Sequence, residues 1–107
     1  MRVLWTEQAF ERLAEIEEYI AADDPGVGRR WTERLIERAE ALADFPGMGR
    51  TVPELPGGSL RELIVGNYRV VYRARPDAIE VLTVFEAHRL LPEEDLPAAD
   101  LPPSAHC

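Results

Sequence analysis

The stretch Leu60–Ala74, LRELIVGNYRVVYRA, decides the fold because it predicts a complete β-hairpin. Its centre, Gly66-Asn67, lies between two runs rich in Leu, Ile, Val and Tyr. A Gly at the first position of a two-residue loop suits a type II′ turn, whose twist matches that of the flanking strands. This turn places Val65 opposite Tyr68 and thereby sets the register of every other pair in the hairpin.

The two faces of the predicted hairpin differ in chemistry. In this register one face is almost entirely apolar, and we expect it to lie on the core. The other face carries Arg69 and Arg73, with Glu62 diagonally between them, so we expect it to point outward or into a cleft. These charges are either an exposed ion cluster, which stabilises a fold by less than about 1 kcal/mol, or part of a surface that binds a target.

Two helices are predicted upstream of the hairpin, after a short strand at residues 1–5. Apolar residues recur at helical spacing over residues 7–22, and Thr6 suits the N-cap of that helix. Asp24 suits the N-cap of a second helix over residues 25–44, which has Pro at its first position. Because the connection between the helices is short, they should be antiparallel neighbours.

A further strand follows the hairpin and completes the predicted sheet. The segment IEVLTVFE, residues 79–86, is dense in residues that favour strands. We therefore expect an α+β fold in which a helical hairpin covers one face of a mainly antiparallel four-stranded sheet. The expected strands are residues 1–5, 60–65, 68–74 and 79–86, and the helical hairpin is residues 7–44.

The end of the chain differs in composition from the rest. Residues 92–107, PEEDLPAADLPPSAHC, contain four Pro, four acidic residues and few large apolar ones. This composition predicts a disordered tail after a domain formed by residues 1–91. His106 and Cys107 could ligate a metal, but two ligands on a flexible end do not make a site. We expect neither a metal nor a cofactor.

Composition and charge restrict the class of protein. The chain has 107 residues, and it lacks the run of about 18 apolar residues that a membrane span requires. No signal peptide is evident after MRVLW, and the lone Cys107 has no partner for an internal disulfide, so we expect a cytoplasmic location.

The net charge of −8 argues against general binding of nucleic acid. All 12 basic residues are arginine, and half of them lie in or beside the hairpin region, at Arg50, Arg61, Arg69, Arg73, Arg75 and Arg89.

Motifs spread over residues 1–91 resemble the RelE/ParE superfamily of toxins from type II toxin–antitoxin systems. The matching residues are WTEQAFERLAEIEEYI (residues 5–20), Pro46, Gly49, Arg50, Pro53-Glu54, Arg61-Glu62-Leu63, Tyr68–Arg73 and Val84–Arg89. The resemblance implies a small α+β toxin that arrests bacterial growth. It also implies a cognate antitoxin, encoded beside the toxin, that holds it inactive until the antitoxin is degraded.

Two branches of this superfamily differ in chemistry. RelE-like members cut mRNA on the ribosome without a metal, whereas ParE-like members inhibit DNA gyrase. Metal-free cleavage needs groups that exchange protons and cations that hold the phosphate. The resemblance gives Arg69 the position of a phosphate-holding arginine, which Arg61 and Arg73 would assist. Where the superfamily often has a His, this chain has Glu86, with His88 two residues later.

We therefore predict a ParE-like toxin that inhibits gyrase and is not an enzyme, with target-binding residues Arg61, Arg69, Arg73 and Arg89. One alternative is a RelE-like endoribonuclease that acts on ribosome-bound mRNA, whose catalytic residues would be Arg69, Arg61, Glu86 and His88. The other alternative is a protein of the same fold that has lost toxicity and only binds the antitoxin.

Overall fold

Two helices pack on one face of a five-stranded sheet in the structure, a computed structural model that describes residues 1–101. The strands and helices, in chain order, are β1 Arg2–Trp5, α1 Glu7–Ala21, α2 Pro25–Glu40, β2 Arg50–Thr51, β3 Arg61–Val65, β4 Tyr68–Ala74 and β5 Ala78–Glu86. Short 3₁₀ turns occur at Ala41–Ala43, Glu93–Asp95 and Ala98–Asp100. The α+β class and the helical hairpin expected from the sequence are confirmed.

The central hairpin has the predicted register and turn. Val65 pairs with Tyr68, and the pairing continues without a shift to the far end of β3. Gly66 has a φ of +59°, whereas Asn67 has a negative φ, which is the type II′ pattern. A Cβ on Gly66 would lie 2.4 Å from a ring carbon of Trp31. The turn therefore needs Gly both for its backbone conformation and for its close contact with α2.

The strand order across the sheet is β1-β5-β4-β3-β2. β1 runs parallel to β5, and the remaining neighbours are antiparallel. The expected number of four strands is wrong, because Arg50 and Thr51 in the Pro/Gly-rich loop pair with Glu62 and Arg61 of β3. A strand of two residues is too short to show the alternation by which strands are recognised in a sequence.

The helices begin at the predicted caps and bury one stripe against the sheet. The Oγ1 atom of Thr6 accepts a hydrogen bond from the Ala9 N–H (3.1 Å), and the Asp24 carboxylate accepts from the Gly26 N–H (3.0 Å). These bonds satisfy N–H groups that have no partner within the helix. The buried residues of the core between the helices and the sheet are Ala9, Leu13, Leu35, Ala39, Leu42, Leu63, Val65, Tyr68, Val70, Tyr72, Ile79, Val81 and Val84.

The opposite face of the sheet is also covered, which the sequence did not predict. A second apolar cluster forms there between the sheet, the loop before β3 and the segment 91–101, which we call the C-terminal strap. Its buried residues are Val52, Leu55, Leu60, Val71, Leu82, Phe85 and Leu96, with Leu91 and Leu101 partly buried beside them. We expected this face to point outward or into a cleft, and the structure instead covers it with the loop and the strap.

The described part of the C-terminal segment differs from the disordered tail that composition suggested. Leu96 is buried in the second cluster, and Asp95 is hydrogen-bonded to Arg12 and Thr83. Residues 102–107, including His106 and Cys107, lie outside the described residues. None of the helices within residues 1–101 is long and apolar enough to cross a membrane.

Candidate functional site

The carboxylate of Glu62 is the centre of an ion network on the second face of the sheet. Its side chain has no exposed surface. One carboxylate oxygen accepts a hydrogen bond from Nε of Arg69 (2.7 Å), and the other accepts from Nε of Arg50 (2.7 Å). Arg69 also donates to both oxygens of Glu54, at 2.8 and 2.6 Å, and its guanidinium carbon lies 4.8 Å from the ring centre of Phe85. Every charged group in this network therefore has an opposite charge beside it.

This network holds Arg69 away from solvent. Only 8% of its side chain is exposed. Hydrogen bonds to Glu54 and Glu62 raise the pKa of Arg69, and the hydrogen bond from Arg69 lowers the pKa of Glu54. Arg69 and Glu54 therefore both keep their charges at neutral pH. The expectation that Arg69 lies on an exposed face is corrected, because Glu54 of the loop before β3 and the ring of Phe85 lie against it.

Two of the other arginines predicted for target binding also make contacts within the protein. Nη1 of Arg61 donates to the carbonyl of Gly49 (2.8 Å). Nη2 of Arg73 donates to the carboxylate of Glu80 (2.6 Å), and this bond lowers the pKa of Glu80. The side chain of Arg89 is 69% exposed. Of the four predicted target-binding arginines, Arg89 is the most available to a partner.

The two predicted proton-transfer residues lie together, but apart from Arg69. Nε2 of His88 lies 3.3 Å from a carboxylate oxygen of Glu86, and His88 is exposed. Glu86 pairs with Tyr68, whereas Arg69 pairs with Phe85. Because side chains alternate along a strand, Glu86 and Arg69 lie on opposite faces of the sheet. The structure therefore does not bring the hypothetical nuclease residues into one site.

A groove of about 550 Å³ opens between α1, the end of β5 and the chain that follows it. Polar and apolar side chains both line it, namely Arg12, Glu15, Ile16, Tyr19, Tyr68, Val84, Phe85, Glu86, Arg89, Leu90, Leu91, Pro92 and Glu94. Two of them are large apolar side chains left in solvent, with Tyr19 76% and Leu90 92% exposed. Exposed apolar residues around a cavity are typical of a surface that binds another protein.

The free edge of β5 borders this groove. β1 pairs with β5 only as far as Val81. The Ala87 N–H donates to the Asn67 carbonyl on the hairpin side (2.7 Å). Because backbone groups alternate in direction along a strand, those of Val84 and Glu86 point away from the hairpin. The Glu86 carbonyl already accepts a hydrogen bond from the Arg89 N–H (3.0 Å), so the backbone of Val84 and the N–H of Glu86 form the open part of the edge. Within residues 1–101 no strand pairs with this part of the edge, so it can accept one from a partner.

The sequence contained only part of the signal for this groove. Tyr19 belongs to the apolar stripe of the first predicted helix, and nothing in the pattern separates it from the residues that are buried. Because β1 is shorter than β5, part of the β5 edge has no neighbouring strand. The predicted strands, residues 1–5 and 79–86, already differ in length in this way. The segment 90–94, which forms one wall, has no periodicity and was assigned in part to the tail.

Within residues 1–101 no three or more His, Cys, Asp and Glu side chains are grouped so that they could ligate an ion.

Comparison with known proteins gives consistent matches over most of the chain. Residues 3–91 match the sequence model of a family described as "ParE toxin of type II toxin-antitoxin system, parDE". The Y4kP protein of Sinorhizobium fredii, whose name describes it as a toxin, is 40% identical over 96 residues, which cover 86% of this chain and 94% of that protein. Toxin RelE2 of Caulobacter vibrioides is 32% identical over 90 residues, covering 83% of this chain and 98% of that toxin.

A solved structure has the same fold. A chain from the structure of a chromosomal ParDE toxin–antitoxin system of P. aeruginosa superposes with a TM-score of 0.70 and 21% sequence identity. The match covers 82% of this chain and 97% of that one. The arrangement of two helices on a sheet is therefore shared with a toxin–antitoxin protein.

Proposed function

Because the chain belongs to the ParE toxin family of type II toxin–antitoxin systems, we propose that it arrests growth by binding and inhibiting DNA gyrase. The toxin would act in the cytoplasm and would not cut RNA. A cognate antitoxin would neutralise it by occupying the groove beside β5. Inhibition by binding requires a surface that fits the target, whereas RNA cleavage requires a cation and a proton donor or acceptor at one phosphate.

The separation of Arg69 from Glu86 is the observation that carries this proposal. Arg69 is hydrogen-bonded to two carboxylates on one face of the sheet, whereas Glu86 and His88 lie near the other. A phosphate held by Arg69 would have to displace Glu54 or Glu62, and a buried Glu62 without its partner is strongly unfavourable. This arrangement favours a toxin that works through binding.

Arg89 is the arginine that we propose for contact with the target. Its side chain is mostly exposed and lies at the rim of the groove, 3.7 Å from Glu86. The remaining predicted residues, Arg61, Arg69 and Arg73, would support the surface indirectly, because each makes a hydrogen bond within the protein. Arginine at the centre of an interface commonly contributes much of the binding energy.

The antitoxin site that we propose combines an unpaired strand edge with apolar side chains. An extended segment can add to a sheet edge through main-chain hydrogen bonds while its side chains enter neighbouring pockets. The backbone of Val84 and the N–H of Glu86 offer the hydrogen bonds, and Ile16, Tyr19 and Leu90 offer apolar contacts. Co-purification of the protein with the product of the adjoining reading frame tests this part of the proposal.

Gyrase supercoiling in the presence of the purified protein tests the proposed target. We expect inhibition by the wild type, and inhibition about tenfold weaker with Arg89→Ala, as is common when an arginine at an interface is removed. Arg29→Ala, which removes an exposed arginine from α2, is the matched control and should inhibit like the wild type. Equal inhibition by all three proteins would remove Arg89 from the proposal, and no inhibition by any of them would reject gyrase as the target.

A ribosome-dependent endoribonuclease remains the second candidate, favoured by the contact between His88 and Glu86 and by the relative named RelE2. Primer extension on translated mRNA from expressing cells separates the two. Cuts within codons that disappear with His88→Ala or Glu86→Gln would establish the nuclease. Growth arrest with induction of the SOS response and intact mRNA supports the gyrase proposal, and unharmed growth would identify a non-toxic protein that binds the antitoxin.

A further inference from the structure

The C-terminal strap lies beyond the part of the chain that the toxin family shares. The match to the family ends at residue 91, whereas the structure describes the chain to residue 101. The strap nevertheless packs on the sheet through Leu96, which is buried against Phe85 and its neighbours. Its role therefore has to be derived from its own contacts.

A clasp centred on Asp95 fixes the strap to the rest of the protein. The Asp95 side chain is only 5% exposed. Its Oδ2 accepts hydrogen bonds from Nε of Arg12 (2.7 Å) and from Oγ1 of Thr83 (2.9 Å), and its Oδ1 accepts from Nη2 of Arg12 (3.3 Å). The hydrogen bond to Asp95 raises the pKa of Arg12. One carboxylate thus joins the strap, α1 and β5.

The far end of the strap is attached as well. The Asp100 carboxylate accepts a hydrogen bond from Oγ of Ser59 (3.3 Å) and lies 3.7 Å from Nη1 of Arg73. Leu101 is partly buried in the second apolar cluster. The strap therefore crosses the sheet from α1 to the loop before β3 and is held at both ends.

The clasp also determines the shape of the groove. Leu91, Pro92 and Glu94 of the strap form one wall, and Arg12 of α1 forms part of the other. Nη2 of Arg12 lies 3.2 Å from Glu94, so the walls meet at this end of the groove. Without Asp95 the two walls would lose the strongest bond that holds them at a fixed separation.

The charge of the groove is acidic once these pairs are counted. Two arginines of the groove are outnumbered by four carboxylates, because Asp95, Glu15 and Glu94 all lie beside Arg12 and Glu86 lies beside Arg89. The side chains of Glu15 and Glu94 are 62% and 70% exposed at the walls. A segment bound there meets apolar side chains flanked by carboxylates, so arginine or lysine on that segment would complement the groove.

We propose that the strap, fixed by the Asp95 clasp, is the wall of the groove that selects the partner, and that the groove accepts an extended segment in which apolar residues alternate with arginine or lysine. The inference rests on the proposed antitoxin site and names the chemistry of its occupant. Alternation is required because a strand added to the β5 edge turns successive side chains to opposite faces, so that its apolar side chains meet Ile16 and Tyr19 of α1 while its basic side chains meet Glu94 of the strap. A second copy of this chain is a poorer occupant, because each copy carries a net charge of −8.

Binding of two peptides to the full-length protein tests the chemistry of the occupant. One short peptide alternates Leu with Arg, and the matched peptide alternates Leu with Glu. We expect the Leu/Arg peptide to bind at least about tenfold more tightly at low salt, and the difference to shrink as salt screens the charges. Glu94→Arg should abolish that preference. Equal binding of both peptides, or preference for the Leu/Glu peptide, would overturn the proposed chemistry.

Substitution of the clasp tests the role of the strap. Asp95→Asn and Asp95→Ala should weaken binding of the antitoxin from the adjoining reading frame by about tenfold or more, while circular dichroism reports whether each variant is folded. Glu93→Gln removes a charge from an exposed neighbour and is the matched control. A folded Asp95→Asn protein that binds the antitoxin like the wild type would overturn the proposed role of the strap. The proposed antitoxin site would stand.

Two further outcomes are informative. A wild-type protein that binds the Leu/Arg peptide but ignores the antitoxin would reject the proposed antitoxin site while retaining the chemistry of the groove. Self-association of the wild type that is lost with Glu94→Arg would show that a second copy is the occupant, and this result would overturn the inference.

Discussion

Replacing Arg69 by Ala should destabilise the fold far more than replacing an exposed arginine. The change leaves Glu62, whose carboxylate is fully buried, with Arg50 as its remaining cation. Removing one partner of a buried ion pair costs about 3–5 kcal/mol. Because Arg50 still neutralises one oxygen of Glu62, we expect the lower end, about 3 kcal/mol, which is about a hundredfold change in the ratio of folded to unfolded protein. If Arg69 and Glu62 formed an exposed ion pair, the same substitution would lower the free energy of unfolding by less than about 1 kcal/mol.

Urea unfolding followed by circular dichroism measures this effect. Arg29→Ala is the matched control, because Arg29 is an exposed arginine of α2, and it should lose about 1 kcal/mol or less. The double substitution Arg69→Met with Glu62→Leu should recover most of the loss, since replacing a whole buried ion pair by apolar residues is often neutral. A loss below about 1 kcal/mol for Arg69→Ala would refute the argument that the network is buried and essential.

Three further predictions concern the loop, the turn and acid stability. Tyr72→Phe should cost about 1–3 kcal/mol in urea unfolding, because the Tyr72 hydroxyl accepts the buried Gly49 N–H at 3.0 Å, which would lose its partner. Gly66→Ala should lower the melting temperature more than Gly57→Ala, since both have positive φ but only a Cβ at Gly66 meets Trp31. Arg69 lowers the pKa of Glu54 below 4.5 in the folded protein. The ionised Glu54 should therefore stabilise the fold above about pH 4.5, and this contribution should be lost as the pH falls through the pKa of Glu54 in the folded state. Glu54→Gln should accordingly make the free energy of unfolding depend less on pH in acid.

The two helices, whose apolar residues recur at helical spacing, and the hairpin, which has a specific turn, were predicted correctly from the sequence. The Gly66-Asn67 turn fixed the hairpin register, and Thr6 and Asp24 marked the helix starts, because each acts through contacts a few residues away. Such local patterns can be recognised in the sequence because they do not depend on contacts with distant parts of the chain.

The errors all concern contacts between distant segments. Glu62 and Arg69 were assigned to an exposed face because charged residues are rarely buried. Their burial depends on Arg50 and Glu54, which precede β3 in a segment without a periodic pattern. Leu96 is one apolar residue among Pro and acidic residues, so composition gave no sign that it enters a core. Pairing of opposite charges is what makes this burial tolerable, and a sequence does not show which charges meet.

The positions of these charges decide how mutational data on this toxin should be interpreted. Arg69 is one of the arginines that the sequence predicts for target binding, yet it stabilises the fold from the face opposite to Glu86. Loss of toxicity in an Arg69 variant therefore follows from unfolding alone and does not demonstrate contact with a target. Arg89 and Glu94 are exposed at the groove, where substitutions should change binding with little effect on stability. Only variants of this second kind, measured together with their free energy of unfolding, report on the partner surface.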